Sequence, residues 1–452
     1  MTTLTQEIAR FVAGLQADTI PAAVSEKAKV ALLNAYGMAL AGRDTPYAPV
    51  ARKAALAMDG EQPKGATLLG DGRRTSIGGA CLANAALFHG RCQEDTCGAA
   101  HFGTILIPLL TAMIEARRYP LSSLIPALVA GYEAGGVIEQ AYCATTTATG
   151  FRSSAIYGTL AAAAASAKLM GLNEAQIAAA LANAASFSGG VLQSFADGTN
   201  EWRYQVGMAG RNGLAAAELA KAGSVSAPLA LEGKSGFIRA FANTGADVGK
   251  LSASLGQDWA VLRVTFKPFP VCAFNQTPVT AALPLREQIG NAPIAAVRVH
   301  MSPFAMNYAG MKEVGPFHSI SGTLMSIPFC VATTLAHGTP TMTRMTTYND
   351  ASVNALQRRI TLVGDPGLSA LCAKIEVETA DGRKYVREQN MTPADYAFDR
   401  NTVSKLVRGI GAEEGVPAGA FDILERFVER LPGGTIDDVI ESFAAIEQRM
   451  AA

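Results

Sequence analysis

The chain has 452 residues, 49% of them hydrophobic and only 17% charged, and its mean hydropathy is positive. That is too much chain for one core of ordinary size, so two domains, or a large helical domain carrying an insertion, are expected. The 38 basic and 38 acidic residues cancel and are spread along the chain, which excludes an electrostatic footprint for nucleic acid or for anionic lipid.

The scarcity of surface charge predicts that apolar surface is shared between subunits, hence a homo-oligomer. Seven cysteines, scattered from Cys81 to Cys372, do not read as a disulfide framework but as reduced thiols. Glu7 and Arg10 interrupt the first apolar run, and no stretch reaches about 18 uninterrupted apolar residues. The expectation is a soluble, cytoplasmic protein with no membrane segment.

In chain order, Thr3 and Gln6 form a capping-box pattern ahead of Leu4, Ile8, Phe11, Val12 and Leu15, which recur at helical spacing. A second helix is predicted from Pro21 through Ala35, and a third over residues 49–57 with Pro49 at its first position. Residues 65–76 are turn-rich and lead into a helix over 77–88. Helices follow over 105–116, 124–142 and 155–170, with Gly171 as a stop, then over 174–186 behind an Asn173/Gln176 cap, and over 208–221. The pattern then changes. Residues 260–267 and 294–301 alternate as strands do, and 374–388 read as a hairpin whose Asp381-Gly382 pair signals a type I′ turn. Helical segments over 322–335 and 351–359 lie between, and the helical period resumes over 403–410, 421–431 and 437–450.

The predicted fold is therefore mainly α. A large helical domain is formed by both chain ends, residues 1–267 and 396–452, with a smaller α+β lid inserted over 268–395.

Several common chemistries are absent. Gly233-Lys234-Ser235 resembles the end of a phosphate-binding loop, but Pro228 stands where that motif needs a glycine. There is neither a GxSxG elbow nor a dinucleotide fingerprint behind a strand.

The richest stretch is residues 89–104, HGRCQEDTCGAAHFGT. His89, Cys92, Glu94, Asp95, Cys97 and His101 could all ligate a metal, yet the spacing matches no paired C-x₂-C arrangement and the donor set suits no single ion, so no metal is expected. The plain reading of His89, Cys92 and Cys97 is buried packing. His101 is different, because it sits in a Gly/Ala-rich turn just before a helix, where backbone N–H groups and the helix dipole favour an anion. Asp95 and Thr96 share that setting.

A second, basic set comprises Arg152, Arg203, Arg211 and Lys267. Lys267 lies among aromatics and prolines in FKPFPVC, where lost hydration would lower its pKa toward that of a usable acid or base; the alternative is a surface lysine with a buried stem. Arg152 and Arg203 would hold carboxylates bidentately, or pair with Glu201 or Asp197.

These pieces, in this order, resemble the MmgE/PrpD family, which contains 2-methylcitrate dehydratase, cis-aconitate decarboxylase and iminodisuccinate epimerase. The resemblance is carried by ACLANAALFHGRCQEDT with HFGT, GYEAGG, GFRSSAIYGTLAAAAASAKLMGL, AGRNGLAAAELA, LEGKSGFIRAF, FKPFPVC and FCVATTLAHG, and so runs through most of the chain. It implies a helical domain from both chain ends, an α+β lid, a homodimer, and cofactor-independent chemistry on small di- or tricarboxylic acids. In the family's D-x-D-D-T run Cys92 stands at the first Asp and Glu94 at the second, while Asp95 and Thr96 are kept. His101 matches the family's active-site histidine, followed here by Phe102 where proline is usual, Lys267 matches its K-P-x-P lysine, and Cys272 falls where members carry histidine or cysteine. Arg152 replaces a common histidine, and Trp202 and Gln205 replace the lysine and histidine of a T-K-x-x-H stretch.

The resulting expectation is a lyase that eliminates water from a small hydroxy di- or tricarboxylic acid. His101 is the general base or acid tuned by Asp95, and Lys267 is the second proton carrier. Thr96, Arg152, Arg203 and Cys272 contact the substrate. Epimerisation or decarboxylation of a related dicarboxylate, and a non-catalytic carboxylate-binding homologue, are the alternatives.

Overall fold

The computed structural model describes residues 2–450; Met1 and the last two residues of the 396–452 segment lie outside it. The chain divides into two compact units. One contains the residues up to Val191, Arg203–Val264 and Phe398 onward; the other contains Leu192–Trp202 and Thr265–Ala397. The protein is mainly helical, as its periodicity predicts.

The first unit is built from helices apolar on every face, the pattern of an element buried on all sides. Helix Ala22–Ala41 is buried almost continuously from Val24, and Ala161–Ala165 in helix Ser153–Leu169 are wholly inaccessible. Helix Leu124–Ala148 packs along Ser153–Leu169, the small alanine side chains allowing close approach. By length and composition alone, residues 121–148 could cross a membrane, but most of this stretch is enclosed within the unit and it carries the buried Glu133 and Glu139. Amphipathic helices close the outside: Ala418–Arg430 buries Ala420, Phe421, Leu424, Phe427 and Val428 and packs on Ala22–Ala41.

Local signals account for the helix ends. Thr3 and Gln6 form the reciprocal capping box, as do Asn173 and Gln176, and Pro21 is the N-cap of the second helix. The third helix, Tyr47–Asp59, begins two residues before Pro49, with Pro46 as its N-cap. The turn-rich stretch contains a two-residue ribbon, β1 (Ala66–Thr67) against β2 (Arg74–Thr75), held by Glu115, which accepts from the Thr67 N–H at 2.7 Å.

One strand expectation fails in this unit. Residues 260–263 form a 3₁₀ turn instead, because the buried Glu133 carboxylate accepts the N–H groups of Ala260 (2.6 Å) and Val261 (3.4 Å) and so curls the backbone.

The second unit contains a four-stranded sheet in the order β4-β3-β5-β6, formed by β3 (Ile294–Met301), β4 (Ile360–Gly364), β5 (Cys372–Thr379) and β6 (Lys384–Asn390). β3 pairs parallel with β4 and antiparallel with β5, so Val299 stands opposite both Leu362 and Ile375. Val297, Val299 and Met301 are buried, and helices Gln276–Ile289 and Ile327–His337 pack in this unit. Periodicity missed β4, a short strand with no buried face of its own.

The hairpin is present, but its turn is not type I′. The Gly382 N–H donates to Thr379 O, Thr379 N–H donates to Arg383 O, and of the two central residues only Gly382 has positive φ (82°). This is a three-residue loop, a type I turn closed by a left-handed glycine.

Candidate active site

Helix Ile77–Phe88 ends at His89, and helix Gly103–Arg117 begins just after His101, so the loop between them is short and pinned at both ends. The pinning at Cys97–Ala100 is by paired backbone hydrogen bonds of 2.8 and 3.1 Å, and the Ala99 N–H donates to Glu139 Oε1 at 2.7 Å. Burial raises the Glu139 carboxyl to about 7. The Cys97 thiol donates to Ala260 O at 3.3 Å, and burial pushes it well above the usual thiol range; Cys92 is buried as well. Cys97 thus acts as a small buried group whose thiol is bonded to the backbone.

His101 is held through its backbone and its ring. Its N–H donates to Ser154 Oγ at 3.0 Å, and its carbonyl accepts from Thr104 Oγ1 at 2.9 Å. Nδ1 lies 2.9 Å from the backbone carbonyl of Asp95. A carbonyl can only accept, so Nδ1 carries hydrogen and Nε2 is the nitrogen at which a proton is gained or lost. The link from Asp95 to the imidazole therefore runs through the peptide oxygen.

The Asp95 carboxylate points elsewhere. Its Oδ2 accepts from Tyr132 Oη at 2.6 Å and from the Gly103 N–H at 3.3 Å, which places the charge at the N-terminus of helix Gly103–Arg117. Burial, together with the Asp95 charge, pushes the Tyr132 phenol far above its usual value, so it remains a donor. A Cβ at residue 103 would stand 2.2 Å from Asp95 Oδ1, so only glycine admits the carboxylate. Thr96 is buried in the same loop.

Two residues not chosen from the sequence as site residues belong to this cluster. Glu94 is fully buried, and its Oε1 lies 3.3 Å from Nδ1 of His89 and 3.3 Å from Nδ1 of His101; the two rings are 5.3 Å apart between centroids. Burial holds the His89 imidazole down to about 4, the Arg152 and Arg203 cations add to this, and Glu94 opposes it. The one available signal was that three acid or imidazole groups stand within thirteen positions beside a kept Asp-Thr pair, and it does not separate ligands from packing groups.

Arg152, at the N-cap of helix Ser153–Leu169, donates from Nη2 to His89 Nε2 at 2.7 Å and from Nη1 to Gln205 Oε1 at 3.4 Å. Arg152 and Gln205, the two positions at which the resemblance implies histidine, thus touch each other. Arg203, expected at a carboxylate, has a different occupation. It is wholly buried, and its Nη1 donates to the carbonyls of His89 (2.6 Å) and Gly90 (2.7 Å), while its guanidinium lies 3.9 Å from the centre of the Tyr47 ring. It closes the C-terminal end of helix Ile77–Phe88. Arg211 is engaged bidentately by Asp59 at 2.9 and 2.8 Å.

Lys27 was not marked by the sequence reading. It sits on helix Ala22–Ala41, where burial lowers its ammonium to about 8 and the charge of Asp95 partly restores it.

Lys267 and Cys272 belong to the second unit. Lys267 is 3% exposed, which is not the surface lysine of the alternative reading. The loop that carries it is fixed by Phe266, whose N–H donates to Tyr396 O at 2.9 Å, and by Gln276, whose side chain accepts from Phe269 N–H and donates to the carbonyls of Phe269 and Val271. Cys272 donates its N–H to Leu324 O at 3.0 Å and caps a 3₁₀ turn over Ala273–Asn275.

The protein is mainly helical, with a buried glutamate between two imidazoles and an arginine behind one of them, and comparison with known families assigns its class. Residues 6–247 match the MmgE/PrpD N-terminal domain and residues 269–405 the MmgE/PrpD C-terminal domain; the chain belongs to the MmgE/PrpD family. Among individual proteins, it is 30% identical over 281 residues to a cis-aconitate decarboxylase-like protein of Aspergillus oryzae, a match covering 58% of each chain. It is 26% identical over 369 residues to a cis-aconitate decarboxylase of Aspergillus terreus, covering 77% of this chain and 74% of that one. A Homo sapiens cis-aconitate decarboxylase is 30% identical over 218 residues, covering 46% and 44%. The match thus spans less than two thirds of the Aspergillus oryzae and human relatives.

Proposed function

We propose that the chain is an enzyme acting on small di- or tricarboxylic acids, a lyase that moves a proton at a carbon next to a carboxylate. Family membership supports the substrate class. The observation that carries the chemistry is the orientation of His101, whose Nδ1 is turned to the Asp95 carbonyl so that Nε2 performs the proton transfer.

In elimination of water, Nε2 removes the proton from the carbon beside the carboxylate. The electron pair passes into the carboxylate as an aci form and then expels the β-hydroxyl group, which takes a proton from the second proton carrier and leaves as water. The carbon acid is weak, so positive charge placed in advance must lower the barrier by several kcal/mol, on the order of what one oriented donor supplies. Arg152 is assigned that role, and Thr96 a polar contact. Lys267 is assigned as second proton carrier on its burial and its K-P-x-P setting, and Cys272 as a substrate contact on its sequence position alone. Neither elimination nor proton transfer consumes an oxidant or a reductant.

The names of the relatives favour a second reading, decarboxylation. There the C–C bond to a carboxylate breaks, carbon dioxide leaves, and protonated His101 delivers its proton to the carbanion. Incubation of the protein with hydroxy and unsaturated di- and tricarboxylates in deuterated water separates the outcomes. Elimination gives an unsaturated product and back-exchange of the α-proton, whereas decarboxylation releases carbon dioxide and places one deuterium on the product. A protein that binds these acids without turnover or exchange would sink both readings.

A further inference from the structure

We propose that Glu139 is a positioning residue for the proton transfer: its carboxylate, when ionised, grips the tip of the turn that delivers His101, and when protonated it lets that tip relax. The proposal deepens the reading of His101 as the proton carrier and rests on it.

Cys97 and Ala100 pair through both backbone groups, Cys97 N–H to Ala100 O at 2.8 Å and Ala100 N–H to Cys97 O at 3.1 Å, so residues 98 and 99 form the tip of a tight turn. Gly98 has a φ of 60°, the left-handed region that glycine enters freely. The two bonds that close the turn use neither tip N–H. That of Ala99 donates instead to Glu139 Oε1 at 2.7 Å, the length of a bond to a charged acceptor. The same carboxylate lies against Gly98, where a Cβ would stand 2.3 Å from Oε2 and 2.6 Å from Oε1. Helix Leu124–Ala148 thus presses one carboxylate, on a side chain only 1% exposed, onto both tip residues.

His101 follows this turn directly. Its N–H donates to Ser154 Oγ at 3.0 Å, and its Nδ1 lies 2.9 Å from the Asp95 carbonyl. At the other end of the turn the Cys97 thiol donates to Ala260 O at 3.3 Å. A displacement of Ala99 therefore reaches His101 through a single intervening residue, and the hold on Ala99 is the one that depends on a carboxyl proton.

Glu139 can change its charge near neutrality. Burial raises its carboxyl to about 7, while the Ala99 N–H, Cys143 and the Arg263 charge oppose that rise. A bond from N–H to a carboxylate is roughly twice as strong as its neutral counterpart, so protonation weakens the grip without removing the acceptor. The other titratable and charged groups around Glu139 are Cys97, Glu133, Tyr142, Cys143, Tyr157, Asp258 and Arg263. Burial pushes Cys97, Cys143 and Tyr157 above their usual ranges, so they keep their protons through neutrality. Arg263 is committed to the carbonyls of Gly136 (3.1 Å) and Asp258 (3.0 Å), and lies 3.3 Å from Asp258 Oδ2. Glu133 is also raised to about 7, but it holds the N–H groups of Ala260 and Val261 and not the turn.

The test follows the Ala99 amide and the His101 ring by NMR in protein labelled at alanine and histidine, with the two signals assigned by their loss in Ala99→Gly and His101→Asn. In the wild type the Ala99 amide is expected to move in a step with its midpoint near 7, downfield as Glu139 ionises. The His101 ring signal carries the same step besides its own titration. Both steps are lost in Glu139→Gln, whose amide oxygen still accepts from Ala99 but cannot ionise. The Ala99 step persists in His101→Asn and in Glu133→Gln. An Ala99 step that survives in Glu139→Gln, or disappears in either of the other two variants, overturns the proposal, and so does a His101 titration that is the same in the wild type and in Glu139→Gln. If Glu139→Gln does not fold, a wild-type Ala99 amide that stays still through neutrality overturns it as well, and one that moves in both other variants supports it. For any carboxylic acid the protein turns over, the wild type should exceed Glu139→Gln in kcat on the order of fivefold above the step and match it below, at unchanged KM. A deficit equal at every pH is that of a merely structural role and overturns the proposal. The NMR measurements contain no substrate, so a lack of turnover would count against the proposed reaction and leave the role of Glu139 to them.

Discussion

Nη2 of Arg152 donates to Nε2 of His89 across 2.7 Å in a fully buried environment. A cation bonded to an imidazole this way holds the ring neutral, since a second proton on Nε2 would have nowhere to go. The site is thereby given a permanent charge, on Arg152.

This has a consequence for acid stability. The His89 pKa is depressed in the folded protein to about 4, while the unfolded chain titrates near the ordinary imidazole value, about 6.5. Between these values the unfolded state binds more protons, so stability is fully present above about 6.5 and is lost as pH falls toward about 4. Denaturant titrations across that window should show His89→Gln losing less stability on acidification than the wild type. Parallel pH curves for the two proteins would refute the assignment.

Arg203→Lys is expected to destabilise the protein by about 2 kcal/mol or more, in spite of the retained charge. A lysine cannot reproduce the guanidinium plane over Tyr47 while also reaching the carbonyls of His89 and Gly90, and buried carbonyls left without donors cost roughly 1–3 kcal/mol each. Urea unfolding measures it. A loss as small as a surface substitution would show that Arg203 does not close the helix end.

Gly103→Ala should cost about 1–3 kcal/mol, because its Cβ would meet Asp95 Oδ1 at 2.2 Å and must displace the carboxylate from Tyr132 and from the helix N-terminus. Thermal unfolding gives the stability change, and activity should fall with it as the Asp95 carbonyl moves under His101. Full retention of both would mean that the carboxylate has another place to go.

Among the residues assigned to proton transfer, His101→Asn is expected to lower kcat by about 10²–10⁴-fold with the fold intact, the range for loss of a general base. Lys267→Met should lower kcat by about 10²-fold, the low end of that range. Wild-type turnover in both variants would remove the proposed mechanism.

Much of the secondary structure was legible because its signals are local. The capping boxes at Thr3 and Asn173 and the alternation of Val297, Val299 and Met301 depend on residues within a few positions of one another, and each is present in the structure. Where the reading failed, a distant group had taken over the backbone. The alternation at residues 260–267 was overruled by the Glu133 carboxylate, more than a hundred positions away. The Asp381-Gly382 pair correctly marked a turn, but loop closure at Thr379 and Arg383 selected its type. Nothing in the composition of residues 192–202 suggested that they join the second unit, where Ser319 and Ser321 bond to Gly198 and Asn200.

For the site, the sequence by itself determined the inventory: a loop rich in acids and imidazoles before a helix, and basic residues in motifs that mark the family. Only the tertiary structure decided which groups share a hydrogen. It turned the Asp95 carboxylate to Tyr132 and its carbonyl to His101, placed Glu94 between two rings, and committed Arg203 to backbone carbonyls. The reason is physical. Residue type sets what a side chain can donate or accept, but a hydrogen bond exists only within a few tenths of an ångström and a narrow angle. That geometry is set by helices whose contacts lie far apart along the chain.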